Sequence, residues 1–434
     1  MKKLSIYITI TLMYCTSTLA QQATEFNVNG LRVIFKQSPK QVVSAIMYFK
    51  GGTGNYDSSQ QGIEDLTLSA TAECGTEKYN KNAFKDLADK YGVSVYGYSS
   101  YDYGAISLSC VKPYLDEGWD LFTQAITNPI FNATELALLQ QKKAAEIQNQ
   151  SADPDSKLSK MTMQTSFKGT RYAYEPQGTV AGITSFKPEQ LKNYYQKIYN
   201  ADRMLLVIVG NFSEEKIKEL VQNSFAKLPH SSINSLPSPT DLKIADPNTI
   251  DTVSRKLATN YIQGVLGAPS AASKDMIAYR IAVNTFSNKL FEEVRTKRNL
   301  SYAPYAYVST GFIPYTIMYV TTTKPKEAVT VMTDELNKLR NNGFTEQQLH
   351  DSKAGLTTSF FMRNESTGSV ASAYGIAALR GDWHSQERLV DDINSVTLSQ
   401  LQKVFNEYTA GGIQWNYLGN VSLVDAEAFN IPVK

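Results

Sequence analysis

The chain has 434 residues, 43 basic against 41 acidic side chains, and a hydrophobic share of 42%. That length exceeds one ordinary core and predicts two domains, and the composition is that of a globular chain rather than a disordered one. With a net charge of +2, nothing in the composition suggests a nucleic-acid surface, which needs a clustered basic patch.

Residues 1–20 read as a leader: Lys2 and Lys3, a largely apolar run from Leu4 to Leu12, then Thr18, Leu19 and Ala20 before Gln21. Such a segment predicts export, with a bacterial periplasm as the destination. Bulky Tyr14 before Cys15 argues against a lipoprotein, and no later apolar run is long enough to span a bilayer. Residues 26–37 and 42–50 predict two strands joined by a turn at Ser38 to Gln41, followed by a polar loop over 52–61. Helices are expected over 62–72 and 81–91, a hairpin over 92–111, and helices over 114–128 and 134–152, the last with Thr134 as its cap. Another helix over 189–200 precedes a buried strand from Met204 to Val209. Cys74 and Cys110 are too few for a disulfide framework and are expected as buried free thiols.

Residues 229–250 are rich in Pro, Ser and Asn and mark a linker. It divides the chain into domains at 21–228 and 251–434. ITSFKPEQLKNYYQKIY from Ile183 leads to LLVIVGN ending at Asn211. INSVTLSQLQKVFNEYT from Ile393 leads to IQWNYLGN ending at Asn420. Two such copies, far apart, indicate domain duplication rather than a solenoid. The expected fold class is α+β: two duplicated domains, each a largely antiparallel sheet packed with helices.

The stretch 285–310 reads as a helix, a turn at Asn299 and a strand. Arg295 and Tyr302, seven positions apart, can converge on one point, a donor-only guanidinium beside a phenol that donates or accepts. The spacing alone favours the plainer reading, an exposed helix arginine and a half-buried strand tyrosine. Residues 360–375, FFMRNESTGSVASAYG, read as a polar connection, flexible or chamber-facing.

Three segments resemble one family, the pitrilysin/insulinase metallopeptidases, in the two-domain form of mitochondrial processing peptidase subunits. They are residues 92–131, residues 199–212 (YNADRMLLVIVGNF) and residues 290–309 (LFEEVRTKRNLSYAPYAYVS). The resemblance covers essentially the whole chain after the leader and implies a half-clam, two of which enclose a chamber. Active members carry H-x-x-E-H on a first-domain helix: two histidines one turn apart bind zinc and the glutamate activates water. A glutamate on a later helix completes the ligands.

Here the motif positions are Asp65, Leu68 and Ser69, or Leu66, Ser69 and Ala70 in the shifted register. Neither supplies a ligand pair. The three histidines are His230, His350 and His384, so none precedes residue 230. Glu146 matches the third ligand, as a relict position, and ligation by Asp65, Cys74 and Glu146 would mix hard and soft donors. Without a first-domain histidine, Ser69 has no base to make it a nucleophile. Where the family uses an asparagine on an edge strand to hold substrate backbone, Tyr96 stands. Arg295 and Tyr302, by contrast, match the family's pair that contacts the substrate carbonyl.

The resemblance therefore implies a non-catalytic subunit of a heterodimeric periplasmic zinc peptidase. Such a subunit supplies a substrate-binding pair and half of the chamber to a homologous partner that holds the zinc and binds the peptide. No cofactor is expected in this chain. The alternative is a catalytically inert scaffold or a peptide-binding homodimer, a role the fold tolerates in a respiratory complex.

Overall fold

The apolar runs assemble into two sheets in the computed structural model, which describes residues 22–230, 250–424 and 426–429. The leader at 1–20 and nearly all of the linker at 229–250 lie outside the described residues. The first sheet takes β1 (Thr24–Val28), β2 (Leu31–Gln37), β3 (Val42–Lys50), β4 (Ser94–Ser99), β5 (Tyr103–Val111) and β6 (Met204–Gly210). Their order is β1-β2-β6-β3-β5-β4, antiparallel except between β2 and β6. The second takes β7 (Ile250–Ser254), β8 (Asn260–Leu266), β9 (Tyr305–Ser309), β10 (Tyr315–Thr322) and β11 (Gln414–Gly419). It runs β7-β11-β8-β10-β9, again with one parallel pair, β7 with β11. The α+β class and the largely antiparallel sheets are as expected.

Eight helices accompany the first sheet: α1 (Ile63–Glu73), α2 (Lys81–Tyr91), α3 (Leu115–Thr127), α4 (Ala133–Ala152), α5 (Pro154–Ser166), α6 (Val180–Ser185), α7 (Pro188–Ile198) and α8 (Glu214–Phe225). The second half adds α9 (Met276–Leu290), α10 (Pro325–Asn342), α11 (Glu346–Arg363), α12 (Thr367–Leu379), α13 (Ser385–Ser395) and α14 (Leu398–Tyr408). The sequence repeat is a structural repeat with a constant offset. α7 and β6 begin at Pro188 and Met204, and α14 and β11 begin at Leu398 and Gln414. Alternate residues of the strands, such as Phe35, Met47, Phe49 and Leu206, join Leu66, Phe122 and Leu191 from the helices in one core. Ile262, Met318, Phe286, Leu336 and Phe405 do the same in the second half.

The halves exchange helices across their outer faces. α12 lies on β3 and β6, so Ala371, Tyr374 and Ala378 cover Ile46, Tyr48 and Val207 of the first sheet. α5 lies on β8 and β11, so Leu158 and Met163 cover Val265 and Leu418 of the second. Buried hydrogen bonds pin both contacts: Ser44 to Thr367 at 2.9 Å, and Thr162 Oγ1 donating to Gln263 Oε1 at 2.7 Å. Gly375 is required at its place, because a Cβ there would stand 2.2 Å from the Tyr48 ring.

Three expectations are corrected. Residues 26–37 form a hairpin, because Asn29 (φ 45°) and Gly30 (φ 84°) make a left-handed two-residue turn between β1 and β2. α4 is capped by Asn132, whose side chain accepts the Thr134 and Glu135 amides, while Thr134 sits inside the first turn. Residues 360–375 are mostly helix, the end of α11 and the start of α12, rather than a polar connection. Thr367, Ala371 and Gly375 there meet a sheet face, while Ser366 and Ser369 face solvent. Cys74 and Cys110 are both free and buried, and burial pushes their thiols up to about 12 and about 11.

Candidate functional site

α1 carries the positions where the family places its metal ligands. It begins after Gly62, whose φ of 88° and close approach to Gly178 (2.7 Å from an added Cβ) leave no room for a side chain. Nearly all of α1 is buried. Asp65 is 3% exposed and bonds Lys143 Nζ of α4 at 2.6 Å, and it also accepts the Ser99 amide at 3.1 Å. The cation between α1 and α4 is thus a lysine ammonium belonging to the chain.

Leu68 is fully buried beneath β4 and β5, where its carbonyl and side chain press on Gly97 and Gly104. Ser69 donates to the Gly97 carbonyl at 3.0 Å, which consumes its hydroxyl. Leu66 and Ala70 are core residues. Glu146 is exposed on α4, and the neighbouring Lys142 pairs with Glu73 at 2.9 Å. These donors do not fit zinc: one carboxylate is already neutralised, one position is apolar, and the hydroxyl is spent. Among the described residues no three His, Cys, Asp or Glu side chains are grouped to hold a metal ion.

One residue beside the degenerate motif was not singled out in the sequence. Glu64 is wholly buried and accepts hydrogen bonds from Asn55 Nδ2 (2.7 Å), the Tyr194 hydroxyl and Ser99 Oγ (3.2 Å). Burial outweighs these donors and pushes its carboxyl up to about 7. In the sequence it looked like an ordinary first-turn acid, and only its position between two apolar residues, Ile63 and Leu66, could have flagged it. Lys143 gave no signal, since its partner lies far away along the chain.

The second-half pair is built differently. α9 continues as a π-helical turn over Phe291–Thr296, the chain reverses at Asn299 (φ 50°), and buried Leu300 anchors the return toward β9. Single π turns recur at functional sites because they re-aim side chains. Arg295 and Tyr302 come together: the guanidinium carbon lies 4.2 Å from the Tyr302 ring centroid and 4.8 Å from that of Phe291. Stacking on rings holds the plane while leaving the N–H edge able to donate. Tyr302 is 78% exposed. The other charges of this turn neutralise one another: Lys289 with Glu292 (2.7 Å), Lys297 with Glu292 and Glu293, and Arg298 with Glu293 (2.5 Å). Lys289 and Lys297 hold the Glu292 carboxyl down at about 2. Among the described residues, Arg295 has no carboxylate partner.

The remaining candidates do not join either group. Tyr96 is half-exposed on the edge strand β4, stacked on Tyr98 at 5.8 Å. His350 lies exposed on α11 beside Asp351, His384 stacks on Trp383 before α13, and His230 lies near Asp202 at the edge of the described residues. Between the halves a cleft of about 660 Å³ runs from Ile147 and Ser151 on α4 to Tyr305, Tyr307 and Tyr319.

Comparison with known proteins agrees with this fold. Residues 32–179 match insulinase (peptidase family M16), and residues 185–356 match the peptidase M16 inactive domain. The chain belongs to the M16 family. It is 22% identical over 427 residues to a Helicobacter pylori protein described as non-peptidase homolog YmxG, covering 94% of this chain and 96% of that one. A Pseudomonas fluorescens peptidase M16 inactive domain superposes with a TM-score of 0.83 at 18% identity, over 92% of this chain and 98% of its own. The periplasmic protease PqqL of Escherichia coli superposes with a TM-score of 0.76 at 17% identity, over 96% of this chain but 49% of that one.

Proposed function

We propose that this chain is the non-catalytic subunit of an exported heterodimeric zinc peptidase. It supplies Arg295, Tyr302 and half of a chamber to a homologous partner that carries H-x-x-E-H and its zinc. The observation that carries the reading is the contrast within one chain. The metal position is closed by the Asp65–Lys143 pair, while Arg295 is held between two rings with its donors uncommitted.

The chemistry asked of Arg295 is electrostatic. A peptide carbonyl polarised in the partner's site develops negative charge on oxygen as water adds. A pre-oriented guanidinium and a phenol hydroxyl donate to that oxygen more strongly as the charge grows. Neither side chain exchanges a proton with the substrate in this role. The likeness to half of PqqL supports a chamber completed by a second half, here from another chain. The description of the Helicobacter pylori relative as a non-peptidase homolog supports the absence of hydrolysis by this chain alone.

The test is affinity capture of the full chain from its native source, with zinc and peptidase assays on what is recovered. One partner of similar size bearing H-x-x-E-H, with zinc and activity confined to the complex, is the expected result. Arg295→Ala should then lower activity without lowering recovery of the partner. Recovery of this chain alone, inert and metal-free, overturns the reading in favour of a scaffold.

A further inference from the structure

A second cavity, remote from both groups above, opens among α9, α12, α13 and α14 and encloses about 820 Å³. Arg280 from α9 and Arg380 from the end of α12 both line it. Arg280 is deeply surrounded by protein yet keeps some solvent exposure, which places its free surface toward the cavity. Neither arginine has a carboxylate partner among the described residues. Burial, and then the fields of Arg363 and Arg380, push the Arg280 guanidinium down to about 10. Asp102, whose field reaches Arg380, is already taken up by Arg171 at 3.0 Å, Tyr172 and the Phe312 amide.

Two partly buried like charges on one cavity wall without a counter-ion repel each other, and an anion between them would relieve that cost. The rest of the lining is balanced in charge, which leaves the two arginines as its surplus. Lys274 and Lys403 face the cavity against Asp275 and Asp392, while Asp382 is spent on Arg388 at 2.6 Å. α9 also starts here at Met276, and no side chain caps its first amides. A fifteen-residue helix directs its positive end at the same space, with its first amide, Met276 N–H, donated to the Ser273 carbonyl at 3.2 Å.

We propose that this cavity binds a small organic oxyanion, a phosphate or carboxylate, held by the forks of Arg280 and Arg380 with the remainder of the molecule filling the space toward α13 and α14. Guanidinium pairs match the planar oxygens of either group through charge-assisted hydrogen bonds. The volume exceeds that of a bare inorganic ion, so the ligand carries an organic body.

The experiment is calorimetric titration of the full chain with inorganic phosphate and, separately, with citrate, at ionic strength held constant with sodium chloride. Saturable binding of at least one anion is expected, and which one binds assigns the head group. Arg280→Gln should weaken it roughly tenfold or more, the equivalent of losing a charge-assisted hydrogen-bond pair. No saturable heat with either anion, or equal binding by the variant, overturns the proposal. A melting curve keeps the test decisive. In chloride buffer the variant should melt at or above the parent temperature, since it removes an unpaired buried charge, and only the parent should gain on adding the anion. A variant that melts lower in chloride marks Arg280 as structural and also overturns the site.

Discussion

The two places that the family resemblance marks for chemistry differ sharply within this one chain. At α1 the functional positions have been absorbed into the fold: Asp65 is paired with Lys143, Leu68 is core, and Ser69 bonds β4. At the end of α9 the ion pairs of Glu292 and Glu293 exclude Arg295, and Tyr302 stays in solvent. Burial with full pairing is what stability selects, whereas an exposed, stacked and uncommitted arginine adds little to stability. The difference separates residues absorbed into the packing from a pair that packing and ion pairs leave exposed.

Substitutions that break the comparison should therefore differ sharply in what they cost. The largest effect is expected for Lys143→Met, which leaves a buried carboxylate without its counter-ion. Urea unfolding should show a loss of about 4 kcal/mol, and adding Asp65→Asn should recover most of it. Next is the pH dependence set by Glu64. Its carboxyl titrates near 7 in the fold against 4.5 for the free group. Between those values the native state holds a proton that the unfolded state has released, so stability falls as pH rises through the window. The fall should total roughly 3 kcal/mol, and Glu64→Gln should flatten it in unfolding curves taken across that range.

A smaller loss is expected at the helix exchange, where Gly375→Ala drives a Cβ into the Tyr48 ring. Denaturation should register about 2 kcal/mol, and an unchanged midpoint would mean that α12 is not tightly seated. Smallest are Arg295→Ala and Tyr302→Phe, each expected within about 0.5 kcal/mol of the parent in stability. Their effect belongs in the peptidase assay of the complex. A large destabilisation by either would place that residue with Asp65 as structure and erase the contrast.

Most of the fold was legible because its strands and helices carry their periods openly. Met204 to Gly210 is uninterrupted and apolar, and it lies buried at the centre of the first sheet. α7 and α14 repeat the same pattern of buried positions. α12 was not legible. The face it lays on the sheet is made of Thr367, Ala371, Gly375 and Ala378, too small to stand out as an apolar stripe, so the segment reads as a loop. The β1–β2 turn was carried by Asn29 and Gly30 and was hidden inside a continuous apolar reading.

At the site, Arg295 and Tyr302 were found through family spacing, and the structure does bring them together. Lys143 and Glu64 were missed for one physical reason. Their meaning comes from partners on other elements, Asp65 for the first and Asn55 and Tyr194 for the second, which local sequence does not announce.

The most direct test of this account is zinc binding by the purified full chain alone, measured by equilibrium dialysis and metal analysis with a peptide-hydrolysis assay on the same sample. The account predicts no stoichiometric zinc and no hydrolysis, because an ammonium already satisfies Asp65 and, among the described residues, no three His, Cys, Asp or Glu side chains are grouped to hold a metal ion. One tightly held zinc per chain, with hydrolysis that a chelator abolishes, would contradict it.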